Sequence, residues 1–236
     1  MRLERARSPR DDTMQNLKRI LANTSLFRML DDQQLDDITS ATQPIRATTN
    51  TCVINQGDAP KGVFLVVYGQ VKIGFDRKDG SEKTLAILGQ NKCFGLGEML
   101  LDRAHLAFVK TTTDSMLLHT TREKVLDIAK DNFGFAQELM VCVGRQLYTL
   151  TRDIESYSLQ TAKQRLAGYL LRQSQYQSGD CVELIASKTL IASRLSLTPE
   201  TLSRLLHDFS ADGLISVMGR RIKILDYEKM SALLTA

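Results

Sequence analysis

Glu200, Ser203 and Arg204 lie in the segment TPETLSRLLHDF, and they are the residues of this chain whose types and spacing could read a nucleic-acid base. An arginine fork donates to guanine and a carboxylate accepts from the cytosine amino group, both in the major groove. Glu200 and Arg204 stand one helical turn apart, which equally describes an ordinary ion pair on a helix surface. The surroundings favour the groove. Thr198 is a capping residue, Pro199 sits at the first helical position, where no amide donor is needed, and Glu200 adds a carboxylate to the first turn. Leu202, Leu205 and Leu206 share one face, so Glu200, Ser203, Arg204 and His207 point elsewhere.

The flanking segments complete the reading. Ser187 caps a shorter preceding helix that carries Leu190, Ile191 and Leu195 inward. Behind the second helix Gly213 ends it, and GLISVMGRRIKILD places two apolar runs around Met218-Gly219-Arg220-Arg221, a two-stranded wing with a cationic tip. Such a run is often only a solvated surface. Directly behind a base-reading helix, Arg220, Arg221 and Lys223 instead suit phosphates, giving affinity without sequence information. Two helices, a turn and a basic hairpin describe a winged helix-turn-helix, whose ligand is duplex DNA. A ligand-binding regulatory partner without DNA contact is the competing reading, and the helix-start signals and the wing weigh against it.

These residues need a scaffold, and 236 residues suffice for two domains with cores. Net charge is +4, and from Gln160 onward 10 basic side chains face 7 acidic ones, so most of the excess lies at the DNA-reading end. Between about Pro44 and Thr121, short alternating runs with Asn50, Gly57, Gly69 and Gly80 at the corners predict a small antiparallel β-roll. Ahead of it, two helical pieces bring Leu26, Phe27, Leu30, Leu35 and Ile38 to the core. From about Gly134 to Tyr157 one long helix carries Met140, Val143, Leu147, Leu150, Ile154 and Tyr157 at spacings of 3, 4, 3, 4, 3, a heptad seam that predicts a two-stranded coiled coil and a homodimer. A two-fold pair of recognition helices would read a palindrome.

Some classes are excluded. Cys52, Cys93, Cys142 and Cys181 are scattered, so no metal site is expected, and Cys52, Cys93 and Cys142 read as buried free thiols. No nucleophile motif or phosphate loop supports an enzyme, and no catalytic residues are assigned. The absence of a signal peptide or a long apolar stretch leads to the expectation of a cytoplasmic protein with no membrane contact.

Roll, long helix and winged helix-turn-helix in this order resemble the CRP/FNR superfamily of bacterial transcription regulators from about Leu17 onward. INQGD with Gly57, VVYGQVKI with Gly69, GLGE ending at Glu98, and ASRLSLTPETLSR carry the resemblance. It implies an α+β chain with these parts: a disordered basic tail over 1–16, an effector-sensing roll over 17–132, a dimerisation helix over 133–158 and a DNA-binding domain over 159–236. Glu200-x-x-Ser203-Arg204 is similar to the FNR-type recognition pattern. That implies a TTGAT-type half-site with Arg204 on guanine, Glu200 opposite cytosine and Ser203 beside them. Lys188, Thr198 and Thr201 then look like phosphate contacts, as do Arg220 and Arg221 on the wing, and RNA polymerase is an implied partner. Ser196 stands where the turn commonly has glycine, and Pro199 where cyclic-AMP-dependent members have a base-contacting arginine.

The effector pocket departs further from the pattern. By the resemblance Glu98 takes the place of the glutamate that holds the ribose of a cyclic nucleotide, but His105 and Leu106 stand where an Arg-Ser pair holds the phosphate. Arg103 could restore the charge only in a reshaped loop. The N-terminus lacks the cysteines that hold an iron–sulfur cluster in FNR. What remains is similar to the nitric-oxide-responsive DNR-type regulators, which are thought to use haem, with Glu98, Arg103 and His105 as the pocket and His105 as the candidate ligand. A cyclic-nucleotide-responsive regulator and one that acts without an effector are the alternatives.

Overall fold

The computed structural model describes residues 9–177 and 179–234. Helix α1 (Pro9–Ala22), one 3-10 turn (Ser25–Phe27) and α2 (Asp32–Ser40) come first. Strands β1 (Thr42–Ala47), β2 (Cys52–Ile54), β3 (Gly62–Tyr68), β4 (Val71–Asp76), β5 (Glu82–Leu88) and β6 (Cys93–Phe94) follow. Then come α3 (Leu96–Leu101), β7 (Phe108–Thr111), β8 (Ser115–Thr121), α4 (Arg122–Asp131), the long helix α5 (Phe133–Leu159) and α6 (Ala162–Gln177). The chain ends with β9 (Cys181–Glu183), α7 (Lys188–Arg194), α8 (Pro199–Ala211), β10 (Ile215–Met218), β11 (Arg221–Ile224) and α9 (Tyr227–Ala232). The described residues form two compact units, one of residues 9–74 and 88–147, the other of residues 75–87, 148–177 and 179–234.

The first unit is the expected roll. Its strands run β1-β8-β3-β6 in one sheet and β2-β7-β4 in the other. Central strand β3 shows why its sequence, GVFLVVY, is almost continuously apolar. Phe64 and Val66 join Val71, Phe94, Val109 and Leu117 in one core, while Val63 and Leu65, pointing to the opposite face, join Leu26, Phe27, Ile38 and Phe135 in another. The corners expected at Asn50, Gly57, Gly69 and Gly80 all have positive φ. At Gly69 the need is absolute, because a Cβ would lie 2.3 Å from Ser115 Oγ and 2.5 Å from the Asp114 carbonyl oxygen.

Two expectations need correction. The tail expected to be disordered over 1–16 is helical from Pro9, since α1 runs into Leu17 and Leu21, which are buried at helical spacing; residues 1–8 lie outside the described residues. Cys52 is exposed rather than buried, because β2 is an edge strand, and its thiol donates to the Ile54 carbonyl and Asn55 Oδ1, each at 3.2 Å. Cys93 and Cys142 are partly covered; burial pushes the Cys93 thiol up to about 12 and raises that of Cys142.

In the second unit β10, β11 and β9 form a sheet in that order from one edge, with Met218 opposite Arg221 at the hairpin end. The core gathers Leu166 and Leu170 of α6, Ile191 and Ala192 of α7, Leu202, Leu205, Leu206 and Phe209 of α8, and Ile222 and Ile224 of the wing. This unit also holds residues 75–87 and the chain from Tyr148 of α5, with Lys83 and Thr84 hydrogen-bonded to Ser193 of α7.

Candidate nucleic-acid interface

Both helix starts form where the capping residues predict. The Ser187 hydroxyl accepts from the Leu190 amide at 3.2 Å, and the Thr198 hydroxyl accepts from the Thr201 amide at 3.1 Å, with Pro199 at the head of α8. The four apolar residues Leu202, Leu205, Leu206 and Phe209 are buried, which turns Glu200, Ser203, Arg204 and His207 outward, all exposed. Among the described residues Glu200 and Arg204 form no ion pair, and Arg204 has no hydrogen-bond partner. The Glu200 carboxyl is held below the usual carboxylate range by its own backbone amide and then by the Thr198 hydroxyl, so it is ionised at neutral pH.

Lys188 at the start of α7 is exposed, and so are Arg221 and Lys223 on β11. Arg220 is fixed: its Nε and Nη2 donate to the Leu184 carbonyl at 3.2 and 3.1 Å, pinning the wing tip to the end of β9. The result is an exposed polar helix face next to an exposed basic hairpin.

The turn between α7 and α8 is where sequence reasoning missed residues. Ser196, at the position noted for lacking glycine, has φ +56°, a left-handed conformation that costs a residue with a Cβ roughly 1–2 kcal/mol. Lys83 Nζ donates to Ser196 Oγ and to the Ser193 carbonyl, each at 2.7 Å, and lies 4.8 Å from the centre of the Tyr157 ring. The Thr84 amide donates to Ser193 Oγ at 3.0 Å, and Arg165 Nε to the Leu195 carbonyl at 2.9 Å. Arg194 pairs with Asp153 at 2.6 Å and donates to the Tyr157 hydroxyl, which in turn donates to the Arg194 carbonyl. Lys83 and Ser193 are 110 residues apart, so no spacing pattern could have joined them.

The other expected sites are placed as follows. On α5, Met140, Leu147, Leu150 and Ile154 are exposed, whereas Val143 packs partly on the first unit's core and Tyr157 is partly covered and bonded to Arg194. Near the roll's α3, His105 is 4% exposed, with Nδ1 3.8 Å from Glu98 Oε1; its amide donates to the Asp58 carbonyl and its carbonyl accepts from the Gly57 amide. Arg103 and Leu106 point outward, Leu106 with 72% of its surface exposed. His119 packs its ring on Phe64, and its buried Nε2 has no hydrogen-bond partner. A separate surface cleft of about 240 Å³ is lined by residues including Leu17, Ile20, Arg46 and Met116. No helix among the described residues is long and apolar enough to cross a membrane.

Known proteins share this arrangement. The Crp-like helix-turn-helix domain family matches residues 164–233, and the cyclic nucleotide-binding domain family matches residues 44–132. The CRP-like cAMP-activated global transcriptional regulator of Mycobacterium tuberculosis is 23% identical over 217 residues, 90% of this chain and 97% of that protein. The fumarate and nitrate reduction regulatory protein of Vibrio cholerae is 25% identical over 205 residues, 85% of this chain and 81% of that one. FixK2 from Bradyrhizobium japonicum, at 21% identity and a TM-score of 0.75, has the same fold over 83% of this chain and 98% of its own. With a cyclic-nucleotide-binding-type roll and a Crp-like helix-turn-helix matched in that order, the chain belongs to the CRP/FNR superfamily of DNA-binding transcription regulators, a family of regulators and not of enzymes.

Proposed function

We propose that the chain acts as a homodimer whose two α8 helices read a palindromic TTGAT-type operator, with Arg204 on guanine, Glu200 opposite cytosine and Ser203 beside them. The observation that carries this is the polar face of α8, where an ionised Glu200 and an unpaired Arg204 stand exposed one turn apart. Lys188, Thr198 and Thr201 at the two helix starts, and Arg220 and Arg221 on the wing, take phosphates and set the register. The dimer seam uses the exposed α5 residues Met140, Leu147, Leu150 and Ile154, which keep heptad spacing. Val143 and Tyr157 contribute less, being engaged within their own chain. RNA polymerase is the further partner.

The signal acts at the roll, and it is not a cyclic phosphate. Such a ligand would meet the Glu98 carboxylate and the apolar Leu106, with Arg103 turned outward and no guanidinium at the expected place. The residues present do not fit haem either. The His105 ring is enclosed between Gly95 and Glu98, its backbone held by Gly57 and Asp58, and a Cβ built on Gly62 would lie only 3.0 Å from His119 Nε2. Haem would have to displace the loop that carries its own ligand, so no step is routed through it.

The test is anisotropy of the ligand-free protein on a TTGAT palindrome and on a scrambled duplex at one stated salt concentration, repeated with cyclic AMP. Specific binding that cyclic AMP leaves unchanged is expected. Equal affinity for both duplexes overturns the operator reading, and binding rescued by cyclic AMP overturns the effector reading.

A further inference from the structure

The turn between α7 and α8 aims the recognition helix, and within its own unit it is held from several sides. Ser196 adopts the left-handed conformation without being glycine. Helix α7 ends there at the negative end of its dipole, and the Ser193 carbonyl accepts from the Ser196 amide at 3.2 Å. One ammonium meets both features: Lys83 Nζ donates to the Ser193 carbonyl and to Ser196 Oγ. The hairpin tip adds a second grip at the same residue, since the Thr84 amide donates to Ser193 Oγ and that hydroxyl donates to the Glu82 carbonyl at 3.2 Å. Asp153 and Tyr157 hold Arg194, and Arg165 holds the Leu195 carbonyl.

We infer that Lys83 is a positioning residue for DNA recognition: its ammonium holds Ser196 in the left-handed turn and so sets the aim of α8, making specific affinity depend on a residue that touches no DNA. The inference rests on the reading of α8 as the base-reading helix. Removing the ammonium leaves Ser196 free to relax toward ordinary backbone angles, and a small re-aiming of α8 breaks the bidentate base contacts while sparing adaptable phosphate contacts. A glycine at 196 takes the left-handed conformation without a Cβ penalty and needs no such hold.

The experiment measures wild type, Lys83→Met, Ser196→Gly and the double variant on a specific duplex selected from a random pool with wild-type protein, and on a random duplex at the same salt. The selected duplex keeps the outcome independent of the TTGAT assignment, and failure to select any duplex would count against the base-reading helix itself. Lys83→Met is expected to lose roughly tenfold in specific affinity, the scale of a hydrogen bond to a charged group, with affinity for the random duplex unchanged. Ser196→Gly in that background is expected to restore specific affinity, which a merely structural role for Lys83 would not produce. Unchanged specific affinity in Lys83→Met, an equal loss on both duplexes, or no restoration by Ser196→Gly overturns the inference. If Lys83→Met does not fold, Lys83→Gln replaces it in the same assay under the same criteria.

Discussion

On α8 the polar groups stand away from the protein; around α3 the pocket's histidine is turned into it. Among the described residues Arg204 has no partner, and Glu200 is ionised on the open side of the helix. His105, by contrast, is buried beside Glu98, with its backbone tied to Gly57 and Asp58. The difference separates side chains open to a ligand from side chains already bonded within the protein. A group bonded only to water exchanges that water for a base at little cost, whereas a group bonded inside the protein must first give up its partners. Altering the first should change affinity and leave folding alone, and altering the second should do the reverse.

The largest effect is expected from the proposed dimer seam on α5. Leu150→Glu with Ile154→Glu should convert the protein to a monomer in sedimentation and weaken binding to a palindrome by about a hundredfold or more, the scale of lost bivalency. A dimer that persists would remove these residues from the interface. Arg204→Ala should cost about 1–3 kcal/mol of operator affinity, confined to the guanine position when operators substituted one base pair at a time are compared. Its unfolding free energy in urea should stay within about 0.5 kcal/mol of wild type.

His105→Ala should invert that result, losing roughly 1–3 kcal/mol of stability with operator affinity at the wild-type value. An affinity change without a stability change would mean that His105 takes part in signalling. Thr198→Ala should lower stability by about 1 kcal/mol through loss of the α8 cap. A pH-dependent effect concerns Lys83, which burial first, and then the neighbouring Arg194, Arg77 and Arg165, push down to about 8, against the raising influence of Asp153. Above that pH the folded chain has released a proton that the unfolded chain keeps up to its ordinary value of 10.5, so stability should rise with pH between those values. Below about pH 8 both states hold the proton and the dependence vanishes. Chemical denaturation of wild type against Lys83→Met across this range isolates the contribution, and a flat difference would mean that Lys83 keeps its ordinary value.

The winged helix-turn-helix was legible because each of its signals is local. Ser187, Thr198, Pro199 and Gly213 act within one turn of where they stand, and the leucine spacing on α8 selects its buried face without help from distant chain. The roll's corners were legible for the same reason. The heptad spacing on α5 is a property of the sequence, but Val143 packs on its own unit and the Tyr157 hydroxyl is bonded to Arg194, engagements that periodicity cannot report. The first turns of the N-terminal helix, ahead of Leu17, went unread because they are polar and become helical only in continuity with Leu17 and Leu21, whose burial depends on the roll beneath them.

By itself the sequence determined most of the elements, their order and the polar face of α8, because capping, periodicity and side-chain chemistry are properties of neighbouring residues. Only the tertiary structure decided that His105 is enclosed, that Arg204 is unpaired, and that Lys83 meets the turn at Ser196. Burial and hydrogen-bond partnership are set by which distant segments fill the space around a group, and a contact across 110 residues leaves no mark in local spacing.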